Sequence, residues 1–358
     1  MSENIYDDID FCLTTLYESI YNLKTDECFT FNTINKKDIT IDHIKKNNNF
    51  NFTEVLKGNI EKMDVYNDRL HYKIKNKSYP YTIEIGFQNK KYNSTDQKRP
   101  ELYNMAMMYM CSEIVYEEKF NHFLLPIMCF DINKDKLEKI IPTLKKDFGN
   151  LYESDNENMY IIVTEHYFKM YTLKEYIYEN RETITSDDIK NILFQIYIIL
   201  AKLNERFNKF RHNKINLEAI RLYVKSQPSD NVYKIGGNIY NLKNNKVDIK
   251  ITDFDYSYNS GEYMTNNNPY ILLNNANIYN PYYDIHYITN LIYLYLKSLK
   301  TENIYSIIKN LNDLFNEIIP EKYRIDKIEN YNGIDEEKFI KNNDISITPF
   351  SIIKKYLQ

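Results

Sequence analysis

Along this chain the hydrophobic period changes once, and that change limits the folds open to it. Before about residue 165 the apolar runs read as strands. RLHYKI and YPYTIEIGF flank an Asn76–Lys77–Ser78 turn, and both are rich in β-branched and aromatic residues, which predicts a hairpin. HFLLPIMCFD and MYIIVTEHY predict two more strands, separated by a charged loop. Residues 101–118 (ELYNMAMMYMCSEIVYEE) hold no Gly or Pro and predict a helix among them. From about residue 172 the period becomes helical. Thr172 predicts an N-cap, with Glu175 completing a capping box. Ser186 predicts a second N-cap, opening a long helix with Ile189, Ile192, Ile196, Ile199 and Leu203 on one side. Two short strands follow, AIRLYV and then KVDIKITDF after an Asn244–Asn245 turn. Helices over 284–299 and 301–317 and a C-terminal segment complete the chain. A sheet-rich first half followed by a helix-rich second half predicts an α+β, two-lobed protein.

The flanks read differently. Residues 5–20 place Ile5, Ile9, Leu13, Leu16 and Ile20 on one helical face, which predicts a helix outside the core domain. Residues 40–60 are polar and Asn-rich, as in a connection or the start of a sheet. With 358 residues the chain is long enough for a sizeable core. A net charge of −4 argues against a general nucleic-acid coat. The MSENIYDDIDF start lacks a leading apolar run, so no secretory leader is expected, and no apolar stretch is long enough to span a bilayer. Cys12, Cys28, Cys111 and Cys129 form no zinc spacing and read as reduced, small apolar residues. Tyr occurs 35 times, Gly 7 times and Trp never, a bias expected of a genome poor in G and C.

Several segments carry more than periodicity. The long helix ends in KFRHNKINLEAIRLYV; KITDFDYS follows the next short strands; IIVTEHYFKMYTLKEYI joins the two halves; NPYYDIHYITNLIYLYL opens a later helix. In their order along the chain they resemble the joints of the protein kinase fold, and most of all the divergent kinase-like proteins of nucleocytoplasmic large DNA viruses. The resemblance spans roughly residues 50–325 and rests on ordered weak matches. It implies an N-terminal extension over 1–49, a β-rich N-lobe over 50–165, a helical C-lobe over 166–330 and a tail over 331–358.

The resemblance also assigns positions. Gly58 and Val65 take the spacing of the Gly-rich loop, with Ile60 and Met63 replacing two glycines; an ordinary surface turn at Gly58 is the alternative. Glu84 stands where the family has its phosphate-gripping Lys, and a carboxylate there repels ATP. Glu101 matches the helix Glu that pairs with that Lys. The alternatives are two solvated surface acids, or a shifted register that recruits Lys90 or Lys91. Glu165 begins the hinge, where backbone groups of His166 and Tyr167 would face an adenine. In the catalytic loop His212 and Asn213 match, but Lys214 replaces the catalytic Asp, Asn216 the loop Lys and Ala219 the metal-binding Asn. Lys214 is a proton donor at neutral pH, and an alkyl group cannot ligate Mg²⁺. His212 reads as a packed histidine. Asp253 keeps the metal-binding position and Phe254 the packing position, while Asp255 replaces Gly; an acidic strand end is the bland alternative. Asp284 matches the buried Asp that braces the catalytic loop.

These losses imply a pseudokinase with no required cofactor; Mg-ATP would have Asp253 alone to hold it. The expected role is a protein-interaction scaffold or allosteric subunit binding other viral or host proteins, in the host cytoplasm, a viral factory or a virion. Two alternatives stay open: a divergent active Ser/Thr kinase using Asp253 and another base, and an RNA-associated subunit of an expression complex using Tyr and Lys surfaces.

Overall fold

The structure is a computed structural model that describes residues 59–66, 68–75, 80–88, 90–91, 99–153, 155–166, 170–260, 280–324 and 347–357. The expected helix over 5–20, the 1–49 extension, Gly58, the Asn76–Lys77–Ser78 turn, Tyr167 and much of the 331–358 tail lie outside these residues. The fold is mixed α/β, and the chain divides into two compact units. One runs through Phe120 and resumes over Leu124–Phe168; the other takes residues 121–123 and Lys169 onward.

The first unit is built on an antiparallel sheet of five strands: β1 (Asn59–Tyr66), β2 (Arg69–Lys75), β3 (Pro80–Phe87), β4 (Pro126–Asn133) and β5 (Asn158–Glu165). Their order is β1-β2-β3-β5-β4. Alternation puts Leu70, Tyr72, Ile83, Ile85, Met159, Ile161 and Val163 on one face. Two short helices, α2 (Lys134–Ile140) and α3 (Leu144–Phe148), cover it with Leu137, Leu144 and Phe148. Full burial of each such side chain stabilises by roughly 1.5–3 kcal/mol, so this face sets the register of the sheet. On the other face Gly86 lies opposite Tyr160. A Cβ on Gly86 would overlap the Tyr160 ring tip, so glycine is what lets that ring lie across β3. Between β3 and β4 runs α1 (Pro100–Glu118), with Pro in its first turn and Lys119 closing it at φ 54. Met105, Ala106, Met107 and Met108 are all buried, so this helix has no solvated face there.

In the second unit Thr172 caps α4 (Leu173–Glu179) with Glu175 in the reciprocal capping box. The following long helix, α5 (Ser186–Arg206), is capped by Thr185 rather than Ser186. The reason is the third residue on: Asp188 returns a carboxylate to the Thr185 N–H, whereas Ser186 would face Ile189. Residues 192–203 of α5 are all buried. The two expected short strands are instead the arms of one long hairpin, β7 (Ile220–Ile235) and β8 (Asn238–Ile251), with β6 (Met170–Thr172) beside β7. The chain reverses at Gly236–Gly237, both at positive φ, not at Asn244–Asn245. Asn244 does adopt a left-handed φ of 52, where the register shifts, so an Asn pair that reads as a turn serves as an irregularity inside β8. Among the described residues four α-helices follow: α6 (Tyr283–Leu299), α7 (Glu302–Asn310), α8 (Asn312–Ile318) and α9 (Pro349–Leu357). The single helix expected over 301–317 is thus two, broken at Leu311.

Candidate functional site: a braced loop in the second unit

The loop after α5 is held by one carboxylate. Asp284, in the first turn of α6, accepts the His212 main-chain N–H at 2.7 Å and the Asn213 N–H at 3.0 Å, one on each oxygen. Such charge-assisted bonds are about twice as strong as neutral ones. Asn213 takes a left-handed φ of 64, which Asn tolerates, and its amide donates to the Tyr256 carbonyl at 2.8 Å. The His212 ring is fully buried, 5.2 Å from the Phe254 ring, and its Nε2–H donates to the Thr252 carbonyl at 3.0 Å. Nδ1 has no hydrogen bond among the described residues. Burial pushes this imidazole below its usual range, so it stays neutral. A histidine in this setting packs and positions.

The loop then presents Lys214, whose ammonium lies 4.4 Å from the centre of the Tyr256 ring. An ammonium carries N–H donors and no lone pair, so at this position it cannot take a proton from a hydroxyl. Asn216 Oδ1 accepts the N–H groups of Glu218 and Ala219, closing a local turn. Ala219 is fully buried, and its carbonyl accepts both the main-chain N–H and the hydroxyl of Thr252. Arg211 stacks its guanidinium 4.0 Å from the Tyr283 ring centre.

Asp253 follows Thr252 and sits at φ 68, nearly buried. Residue 255, where kinases have Gly, does not need positive φ, so Asp255 is accommodated there without backbone strain. Phe254 is buried among Phe123, Phe210 and His212. The Ala219 side chain offers no oxygen, both oxygens of Asp284 hold main-chain N–H groups, and among the described residues no three His, Cys, Asp or Glu side chains converge.

The first-unit residues fall into other partnerships. Positions 60, 63 and 65 lie within β1, whose Tyr66 pairs with Arg69 of β2. Contrary to the Gly-rich-loop match, Ile60, Met63 and Val65 are thus strand residues of β1 and not part of the connection to β2. Glu84 bonds Arg69 at 2.9 Å. Glu101 bonds Arg99 at 2.7 Å, and the fully buried Arg99 fork also grips Asp131 with two bonds of 3.0 Å. Neither acid is a solvated surface group. Lys90 pairs with Asp155 at 2.6 Å on the surface. Glu165 ends β5, and His166 Nδ1 lies 2.8 Å from the Thr82 hydroxyl. Sequence reasoning missed Arg69, Arg99 and Tyr256. The only signal for Arg99 was its place two residues before Glu101 at a helix start; Arg69 and Tyr256 had none.

No protein-family model matches the chain. It is 28% identical over 236 residues to the uncharacterized protein R402 of Acanthamoeba polyphaga mimivirus, over 61% of this chain and 27% of R402. It is 25% identical over 133 residues to R400 of the same virus, which carries the provisional name serine/threonine-protein kinase, over 34% of this chain and 28% of R400. The chain thus matches little more than a quarter of either relative's length. The solved structure of WaaP in complex with acyl carrier protein superposes on 74% of this chain and 88% of that one. Its TM-score of 0.35 and 9% identity are too low to carry an assignment.

Proposed function

We propose that this chain is a kinase-like protein of viral type, two-lobed, whose phosphotransfer centre has become a structural joint and which works as a scaffold or allosteric partner for other viral or host proteins. The observation that carries the reading is the brace: Asp284 holds two consecutive main-chain N–H groups of a loop that presents Lys214, not an acid. Phosphoryl transfer is mostly positioning and charge stabilisation. The positioning part is kept, while Lys214 and Ala219 replace the groups that would take a proton and bind metal. The ion pairs of Glu84 with Arg69 and Glu101 with Arg99 support the same reading, since each acid is already neutralised without a nucleotide. The partial similarity to R400 supports the kinase-like part of the reading.

The test is thermal unfolding of the full chain in Mg-ATP. A scaffold reading expects no shift in midpoint at millimolar nucleotide, and the same partners captured from the source cell by wild type and Asp253→Ala. A shift of several degrees that Asp253→Ala abolishes would overturn it, because a ligand stabilises only in proportion to its binding.

A further inference from the structure

The second unit carries a cleft of about 590 Å³ between β6, α4 and the arms of the β7–β8 hairpin. It shares no lining residue with the braced loop. Tyr171, Tyr176, Val224 and Pro228 supply its aromatic and aliphatic wall, and Glu179, Lys225 and Lys246 its charges.

Those charges do not cancel. The nearly buried Lys225 ammonium is fully engaged, by Ser229 Oγ at 2.9 Å, Asn231 Oδ1 at 2.5 Å and Asp248 Oδ1 at 3.2 Å. Lys246 sits on Asp188 at 2.9 Å. Each lysine therefore has its own carboxylate. Glu179 is exposed and has no ion pair or hydrogen bond among the described residues. Burial and the nearby Asp188 push the Tyr176 phenol up to about 12, so its ring stays neutral at physiological pH. An unneutralised carboxylate in a cleft that is also lined by the half-buried Tyr171 is a setting that attracts a cation, through charge and through the ring quadrupole. The Val224 and Pro228 surface suits the aliphatic stem of a long side chain.

We propose that this cleft binds an arginine or lysine side chain presented by an extended, basic segment of a partner protein. The inference does not rest on the state of the phosphotransfer centre, so its failure leaves that reading untouched.

Fluorescence anisotropy tests it on the full chain, in about 0.15 M salt so that long-range attraction is screened. The probe is a fluorescein-labelled hexapeptide alternating Arg and Gly, with a Glu–Gly hexapeptide as counterpart. The Arg peptide should bind and the Glu peptide should not. Glu179→Gln, at an exposed position, should weaken binding about fivefold and Tyr171→Leu about threefold, while Asp313→Asn, an exposed acid on α8, changes nothing. The proposal fails if the Arg peptide does not bind, if the Glu peptide binds as well, or if Glu179→Gln and Asp313→Asn weaken binding equally, the mark of unspecific attraction.

Discussion

Asp284 and Gly86 show how much one side chain, or the lack of one, fixes in each unit. Replacing Asp284 with Ala leaves two buried main-chain N–H groups without an acceptor, at about 1–3 kcal/mol each. Urea unfolding followed by circular dichroism should show a loss of about 3 kcal/mol for Asp284→Ala and a smaller one for Asp284→Asn, which keeps one acceptor oxygen. Equal effects would mean that the carboxylate is not a two-point brace. Gly86→Ala should cost about 2 kcal/mol by overpacking against the Tyr160 ring, and Tyr160→Leu should relieve most of that cost in the double variant. Asp284 and the His212–Asn213 pair were legible in the sequence because the loop is short and its anchors are polar residues with few other uses. The partners of Glu84 and Glu101 were not. Arg69 reaches Glu84 only because β2 and β3 pair in one register, and a single residue of slip would turn one of them to the opposite face.

Elements were easiest to read where their termini carry chemistry. The Thr172 box appears as expected, and α5 differs by one residue because two hydroxyl residues stand side by side. Thr185→Ala should lower stability by about 1 kcal/mol, while Ser186→Ala should stay within about 0.5 kcal/mol. A reversed order would assign the cap to Ser186 after all. The hairpin was legible only at its base, where AIRLYV and KVDIKI alternate. Its outer half does bury one face, with Tyr233, Ile235, Tyr240 and Leu242, but the polar run over residues 226–231 and the exposed Val232 and Ile239 hide that alternation in the sequence. Its length is set by Gly236–Gly237, whose positive φ an L side chain adopts only at a cost. The split at Leu311 left no trace in the periodicity, because Ile307, Leu311, Leu314 and Ile318 continue one apolar face across it.

At the scale of the whole molecule, buried histidines tie stability to pH. Burial holds both His122 and His286 down to about 4, below the 6.5 of a free imidazole, and holds His212 down as well. At these rings the unfolded chain therefore binds more protons than the folded one between about pH 6.5 and pH 4, and among the described residues the one opposing group is Glu113, which burial raises to about 7. This contribution is complete above pH 6.5 and is lost as pH falls toward 4. The unfolding midpoint should drop from pH 7 to pH 5, and His122→Asn, which can still donate to the Ile249 carbonyl, should flatten that slope. A midpoint that rises on acidification would contradict the burial of these rings.

A protein that works as a scaffold around this brace has a folded centre that moves no phosphate. The most direct test is transfer of labelled phosphate from Mg-ATP by the full chain, to itself and to a generic Ser/Thr substrate, with Asp253→Ala as control. The predicted result is no incorporation above that of Asp253→Ala. Incorporation by the wild type that Asp253→Ala abolishes would contradict it, and would mean that another base serves where Lys214 stands.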